Sequence, residues 1–130
     1  MKRVPNRDPN RQVTANIFCS AGDLVCSGSN KFVCDELSTE ARWERPEKYD
    51  WVMHAEEDAI HNAYSLLGSL AGCTMEVSFF PCSRCANHIV RSQISKLRAP
   101  KPDLMDDAWG RQWSISLEIL RVGGVYFEQS

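Results

Sequence analysis

Between Gln12 and Cys19 apolar side chains fall at every second position, Val13, Ala15, Ile17 and Cys19, the period of a strand with one buried face. Ala21-Gly22-Asp23 then supplies turn residues before Leu24-Val25-Cys26, so a hairpin is predicted. The stretch from Lys31 to Met53 is polar, holds Trp43, Pro46, Tyr49 and Trp51 without a sustained period, and reads mostly as loop with one helical turn. From Ala55 the pattern changes: Ala59, Ile60, Ala63, Leu66 and Leu67 form a helical stripe that ends near Gly68 to Gly72. Alternation over Thr74 to Phe80 predicts a strand that Pro81 stops, and Ser83 to Gln93 predicts a helix with Ala86, Ile89 and Val90 inward. A strand at Lys96 to Ala99, a helix from about Gln112 to Val122 and a strand at Val125 to Phe127 complete the reading. Strands alternating with helices imply an α/β sheet covered on both faces. No repeat, linker or low-complexity tract interrupts residues 1–130, which are read as a single domain.

Composition narrows the classes. A chain of 130 residues, 43% hydrophobic and 25% charged, can bury one core. It contains no apolar run near the roughly 18 residues of a membrane span. The stretch Met1 to Asp8 is charged and lacks the apolar segment of a secretory signal, so the expected compartment is the cytoplasm. In that setting the six cysteines read as thiols or metal ligands rather than a disulfide framework. A net charge of −2 favours a small molecule over long nucleic acid, whose phosphates need a basic surface.

Within the stripe, Glu56 stands three, four and seven residues before Ala59, Ile60 and Ala63, so it points inward with them. A buried carboxylate needs a chemical reason. His54-Ala55-Glu56 opens this helix, and Pro81-Cys82-Ser83-Arg84-Cys85 opens the next. Cys82 and Cys85 face one side, at a helix N-terminus that favours thiolates. With His54 they make three ligands for Zn²⁺, leaving the fourth tetrahedral position open as catalytic sites do. Glu56, two residues past the histidine, is placed to move protons. A structural zinc would need a fourth ligand from Cys19, Cys26, Cys34, Cys73, His61 or His88, none of which has short-range metal spacing to the pair. The spare cysteines read as small buried hydrophobes, and the two histidines as polar-face residues.

The His-x-Glu and Pro-Cys-x-x-Cys pattern is the signature of zinc deaminases, and the sequence resembles the cytidine deaminase superfamily, specifically its deoxycytidylate (dCMP) deaminase branch. Asp8-Pro9 with Gln12 to Ile17, Gly28-Ser29-Asn30 and Arg45 to Tyr49 are similar to further stretches of that family, so the resemblance covers most of the chain. It implies a three-layer cytidine deaminase-like sandwich, a mixed five-stranded sheet flanked by helices. It implies hydrolysis of a cytosine nucleotide, dCMP to dUMP with release of ammonia. Substrate contacts are implied at Asn30 (sugar), Ala15 (pyrimidine edge), Ala55 and Pro81, and a homo-oligomer is implied, to which exposed tryptophans would contribute. For the phosphate, Lys31, Lys48, Arg45 and Arg84 lie on segments next to the motifs, and Trp109 could cover the base. Three departures stand out: Thr14 replaces a glycine, Lys31-Phe32-Val33 replaces a Gly-Pro turn, and Asp58 replaces an asparagine. The altered turn argues against regulation by a nucleoside triphosphate. Rival readings are a deaminase of cytidine, guanine or an aminopyrimidine, a tRNA or single-stranded DNA deaminase, and a non-catalytic zinc scaffold.

Overall fold

The computed structural model of the chain describes Asn6 and Asp8–Ser130. The charged N-terminal stretch read for a secretory signal falls largely on residues 1–5 and 7, outside the described residues. The alternating segment forms β1 (Thr14–Phe18), which pairs antiparallel with β2 (Leu24–Ser29). Their turn closes through Cys19 N to Asp23 O at 2.9 Å, with Gly22 at φ +92°, where a side chain would be strained. Then follow a 3₁₀ turn at Asp35–Leu37, the short helices α1 (Glu40–Trp43) and α2 (Lys48–Trp51), and the long α3 (Ala55–Leu67). The chain continues through β3 (Thr74–Val77), α4 (Ser83–Arg91), β4 (Lys96–Ala99), α5 (Gly110–Val122) and β5 (Tyr126–Gln129).

The mixed five-stranded sheet has the order β2-β1-β3-β4-β5, with β1 antiparallel to both its neighbours and β3, β4 and β5 parallel. Period-two patterning explains its two faces. Ala15, Ile17, Met75, Val77, Leu97 and Ala99 are buried and share one core with Ala59 of α3, Ile89 of α4 and Leu120 of α5. Helix α4 packs against both α3 and α5. Two successive parallel connections carry α4 and α5 to the same side, as a consistent crossover hand requires. The opposite face holds a row in register, Asn16, Glu76, Arg98 and Glu128, in which half-exposed Arg98 bridges Glu76 at 3.4 Å and Glu128 at 3.8 Å.

The segment from 31 to 53 departs from the expected loop with one helical turn. It forms three short turns of helix around a small aromatic core: Phe32 and Trp43 are buried, edge to face at 4.6 Å, and Trp43 Nε1 donates to Ser38 Oγ at 3.0 Å. Helices of four residues are too short to print a period, which is why the pattern missed them. Of the four tryptophans expected to contribute an exposed aromatic surface, Trp43, Trp51, Trp109 and Trp113, two are buried, Trp43 at 1% and Trp113 at 7% exposure. Cys34, read as a buried hydrophobe, is exposed.

Candidate active site

Two helix starts converge here. His54 is the N-cap of α3 in extended conformation, and Cys82 is the N-cap of α4, with Cys85 in the first turn. His54 Nδ1 lies 3.2 Å from Cys85 Sγ and 3.5 Å from Cys82 Sγ. Among the described residues these three form the group able to hold a metal, with their ligand atoms all within 4.8 Å of one another. A tetrahedral zinc with bonds of about 2.1 Å to nitrogen and 2.3 Å to sulfur spaces N and S about 3.6 Å apart, so the donors fit the ion. Their proton chemistry fits as well. The Cys82 thiol is held down to about 4, first by the hydrogen bond with Cys85 and then, against burial, by His54. Cys85 is pushed far up by that same bond and by burial, while His54 is raised by its bond with Cys82. Two thiols and an imidazole that share protons are donors that a divalent cation takes over.

Glu56 lies inward as its position on the stripe requires. It is 5% exposed, and burial raises its carboxyl to about 7, with a smaller opposing contribution from His54. His54, Cys82 and Cys85 all act electrostatically on this carboxyl, which places it close to the three donors. A carboxyl of this kind can both accept and give up a proton near neutrality.

Packing behind the loop before Cys82 fixes its course. Trp113 Nε1 of α5 donates to Phe80 O at 3.1 Å, and Gln112 Oε1 accepts from Ser83 N at 3.1 Å and Ser83 Oγ at 2.9 Å, satisfying an otherwise orphaned N–H at the start of α4. Ala15, Ala55 and Pro81 are buried, and Ala55 and Pro81 adjoin His54 and Cys82 in sequence. Trp109 stacks on Trp113 at 6.0 Å and meets Phe79 edge-on at 5.4 Å, and the Arg11 guanidinium sits 4.2 Å above the Phe79 ring.

The cations named from sequence divide. Lys48 is committed to Asp8 at 2.7 Å, with side chains 11% and 2% exposed, which leaves its ammonium little freedom for a ligand. Asp8 Oδ1 also accepts from Asn10 N and Arg11 N, and Oδ2 from Asn30 Nδ2 at 3.2 Å. Burial pushes the Asp8 carboxyl up, yet Lys48 and the two backbone N–H groups outweigh it and hold it below the usual range. Asn30 spends its amide on Asp8 and Arg11 O, and its carbonyl accepts from Val13 N at 2.9 Å. Lys31, beside His54 through its bridge to Met53, pairs with Asp58 at 3.2 Å, and Asp58 also accepts from Ser29 N. Two departures from the family pattern, the Lys31-Phe32-Val33 turn and Asp58, thus satisfy each other through Lys31, and Phe32 of the same turn fills the aromatic core. Arg84 reaches Glu57 at 3.4 Å, and Arg45 is exposed. Arg11, Asp8 and Gln112 escaped the sequence reading because their partners lie far along the chain. The Asp8-Pro9 turn was the one local signal available.

The family model of the cytidine and deoxycytidylate deaminase zinc-binding region matches residues 1–99. An uncharacterized deaminase from the luxG 3′ region of Aliivibrio fischeri is 34% identical over 125 residues, covering 92% of this chain and 80% of that one. The deoxycytidylate deaminases of Pongo abelii and Homo sapiens are each 35% identical over 98 residues, covering 71% of this chain. The chain spans about half the length of these two, 54% of each. In fold it is similar to the dCMP deaminase of cyanophage S-TIM5 in complex with dCMP and dUMP, with a TM-score of 0.69 at 20% identity over 93% of this chain and 82% of that one. The match to the zinc-binding region runs through both helix starts, so the chain belongs to the zinc-dependent cytidine and deoxycytidylate deaminase family.

Proposed function

We propose that this protein hydrolyses the exocyclic amine of a free cytosine nucleotide, with dCMP converted to dUMP and ammonia. The observation that carries the reading is the buried Glu56 carboxyl held against His54, Cys82 and Cys85. These three residues would hold the zinc, which when bound supplies Lewis-acid activation of water at neutral pH. Glu56 takes a proton from the attacking water and delivers it to N3 of the ring. As the water oxygen bonds to C4, Glu56 takes the remaining hydroxyl proton and gives it to the amine, whose C4–N bond breaks, so that water and the cytosine base become ammonia and the uracil base. Ala15, Ala55 and Pro81 would border the ring with backbone, and Asn30 would meet the sugar through the remaining capacity of its carbonyl. For the phosphate, Lys31 and Arg11 replace Lys48 as the better candidates, since one or two charge-assisted contacts suffice for a single phosphate. Relatives called deoxycytidylate deaminases support the nucleotide, as does the fold shared with a deaminase solved with dCMP and dUMP.

Ammonia release over dCMP, CMP, deoxycytidine, cytosine, guanine, a cytosine-containing single-stranded oligonucleotide and a tRNA tests the reading. The expected order places dCMP first, and Glu56→Ala should keep zinc while losing on the order of 10² to 10⁴ in rate. Deoxycytidine equal to dCMP, or a better rate on the oligonucleotide or tRNA, would refute the nucleotide. Turnover by Glu56→Ala within about tenfold of wild type, a barrier change of about 1.4 kcal/mol, would refute the role of Glu56.

A further inference from the structure

Glu57 follows the proton carrier and faces away from it. Its Oε1 accepts from the backbone N of His54 at 2.9 Å, tying the start of α3 back to its own first turn. The same oxygen lies 3.4 Å from Arg84 Nη2, and Oε2 lies 3.6 Å from His88 Nε2. Arg84 stands between Cys82 and Cys85 on α4, and His88 one turn beyond. One carboxylate therefore touches the histidine donor's own backbone on α3 and two side chains of the helix that bears both sulfur donors. It is the less exposed partner of each pair, 19% against 52% for Arg84 and 51% for His88. An ordinary helix cap would need only the first of these contacts.

We propose that Glu57 is a positioning residue for the metal, a clamp that holds the α3 start and the α4 start at the spacing the three donors require. The inference rests on His54, Cys82 and Cys85 being the zinc ligands. Outer-shell groups that orient ligands are commonly worth tenfold or more in metal affinity, and this one acts on both ligand-bearing helices at once. Glu57→Gln keeps an acceptor for the His54 N–H but removes the charge from Arg84 and His88, whereas Glu57→Ala removes both functions.

The test is zinc release from the loaded protein to a chromogenic chelator in excess, measured well below the unfolding midpoint of each variant. Release from Glu57→Ala should be at least about tenfold faster than from wild type, with Glu57→Gln between them. Arg84→Gln should accelerate release alone and add little to Glu57→Gln, because both break the same link. A merely structural cap would lower the melting temperature without changing release from the folded state. Release from either Glu57 variant within about twofold of wild type overturns the clamp, as does full additivity with Arg84→Gln. Failure of the ligand assignment shows differently: Cys82→Ser would then keep its zinc, and the clamp falls with it.

Discussion

Gly28→Ala is expected to damage this protein far beyond the size of one methyl group. Gly28 lies on β2 opposite Ala15, where the strand passes beneath α3. A Cβ at this position would stand 2.3 Å from Ala59 N, 2.5 Å from Ala55 O and 2.8 Å from Ala59 Cα. All three are backbone atoms, so no side chain can rotate away, and the helix must retreat by about 1 Å to reach ordinary contact. That retreat breaks the seam where Ser29 N donates to Asp58 and Asn62 Nδ2 donates to Ser27 O. Overpacking of this kind costs about 3 kcal/mol, or about 10 °C in melting temperature for a domain of this size. Ala55 sits between His54 and Glu56, so the same shift moves the candidate metal donor and the proposed proton carrier, and a displacement of about 1 Å can cost 10²-fold in turnover. Gly22→Ala is the control: at φ +92° it meets nothing within 4 Å, so it should cost about 1 kcal/mol in backbone strain and leave turnover unchanged. Calorimetry and ammonia release on zinc-loaded protein measure both. A Gly28→Ala protein melting within about 2 °C of wild type with kcat/KM within about twofold would refute the steric argument.

Cys82→Ser should release zinc and lower the melting temperature, because metal binding free energy is partly folding free energy; full zinc by elemental analysis would contradict the ligand assignment. Lys48→Met leaves the buried Asp8 carboxylate without its cation, at a cost of about 3 kcal/mol. Asp8 is held below its ordinary value of 3.8, so its stabilisation is complete above that value and is lost as pH falls through the lower folded value. The stability gap between wild type and Lys48→Met should therefore narrow in acid, and a gap as wide near pH 3 as at neutrality would refute the linkage. Light scattering at tens of micromolar should show a homo-oligomer, with a second copy covering exposed apolar groups such as Tyr64, Leu66 and Leu67; a monomer would count against it.

The metal centre was legible because its information is local. His54 and Glu56 are two apart, Cys82 and Cys85 three apart, and each pair sits at the start of a helical stripe, the second directly after a strand's period-two alternation. The same locality made β1, α3, α4 and β4 readable from their apolar stripes. Strand order was another matter. That β1 lies between β2 and β3 depends on Ala15 meeting Val77, a pairing no single segment announces, and the resemblance supplied the mixed sheet instead. Lys48 shows the same limit in a side chain. It stands near the His-Ala-Glu motif in sequence and reads as a ligand for phosphate, but its partner is Asp8, 40 residues away and buried. Gln112 and Ser83, 29 residues apart, were silent for the same reason.

Charge near the site reads differently once partners are known. In the sequence, acidic residues run through the segments around the motifs. The structure divides them into two groups. Asp8, Glu57 and Asp58 are each matched by a cation, Lys48, Arg84 and Lys31 respectively, so they contribute little field at the site. Asp35, Glu36, Glu40, Glu44, Glu47 and Asp50 are exposed on the short turns between β2 and α3, and they carry the negative potential. On the proposed reading a single nucleotide would need only Lys31 or Arg11, whereas a polynucleotide must also lay its flanking phosphates somewhere on the surrounding surface. Exposed carboxylates concentrated on these turns therefore disfavour an extended phosphate backbone along that segment, and they do so by position, which the net charge of −2 alone could not convey.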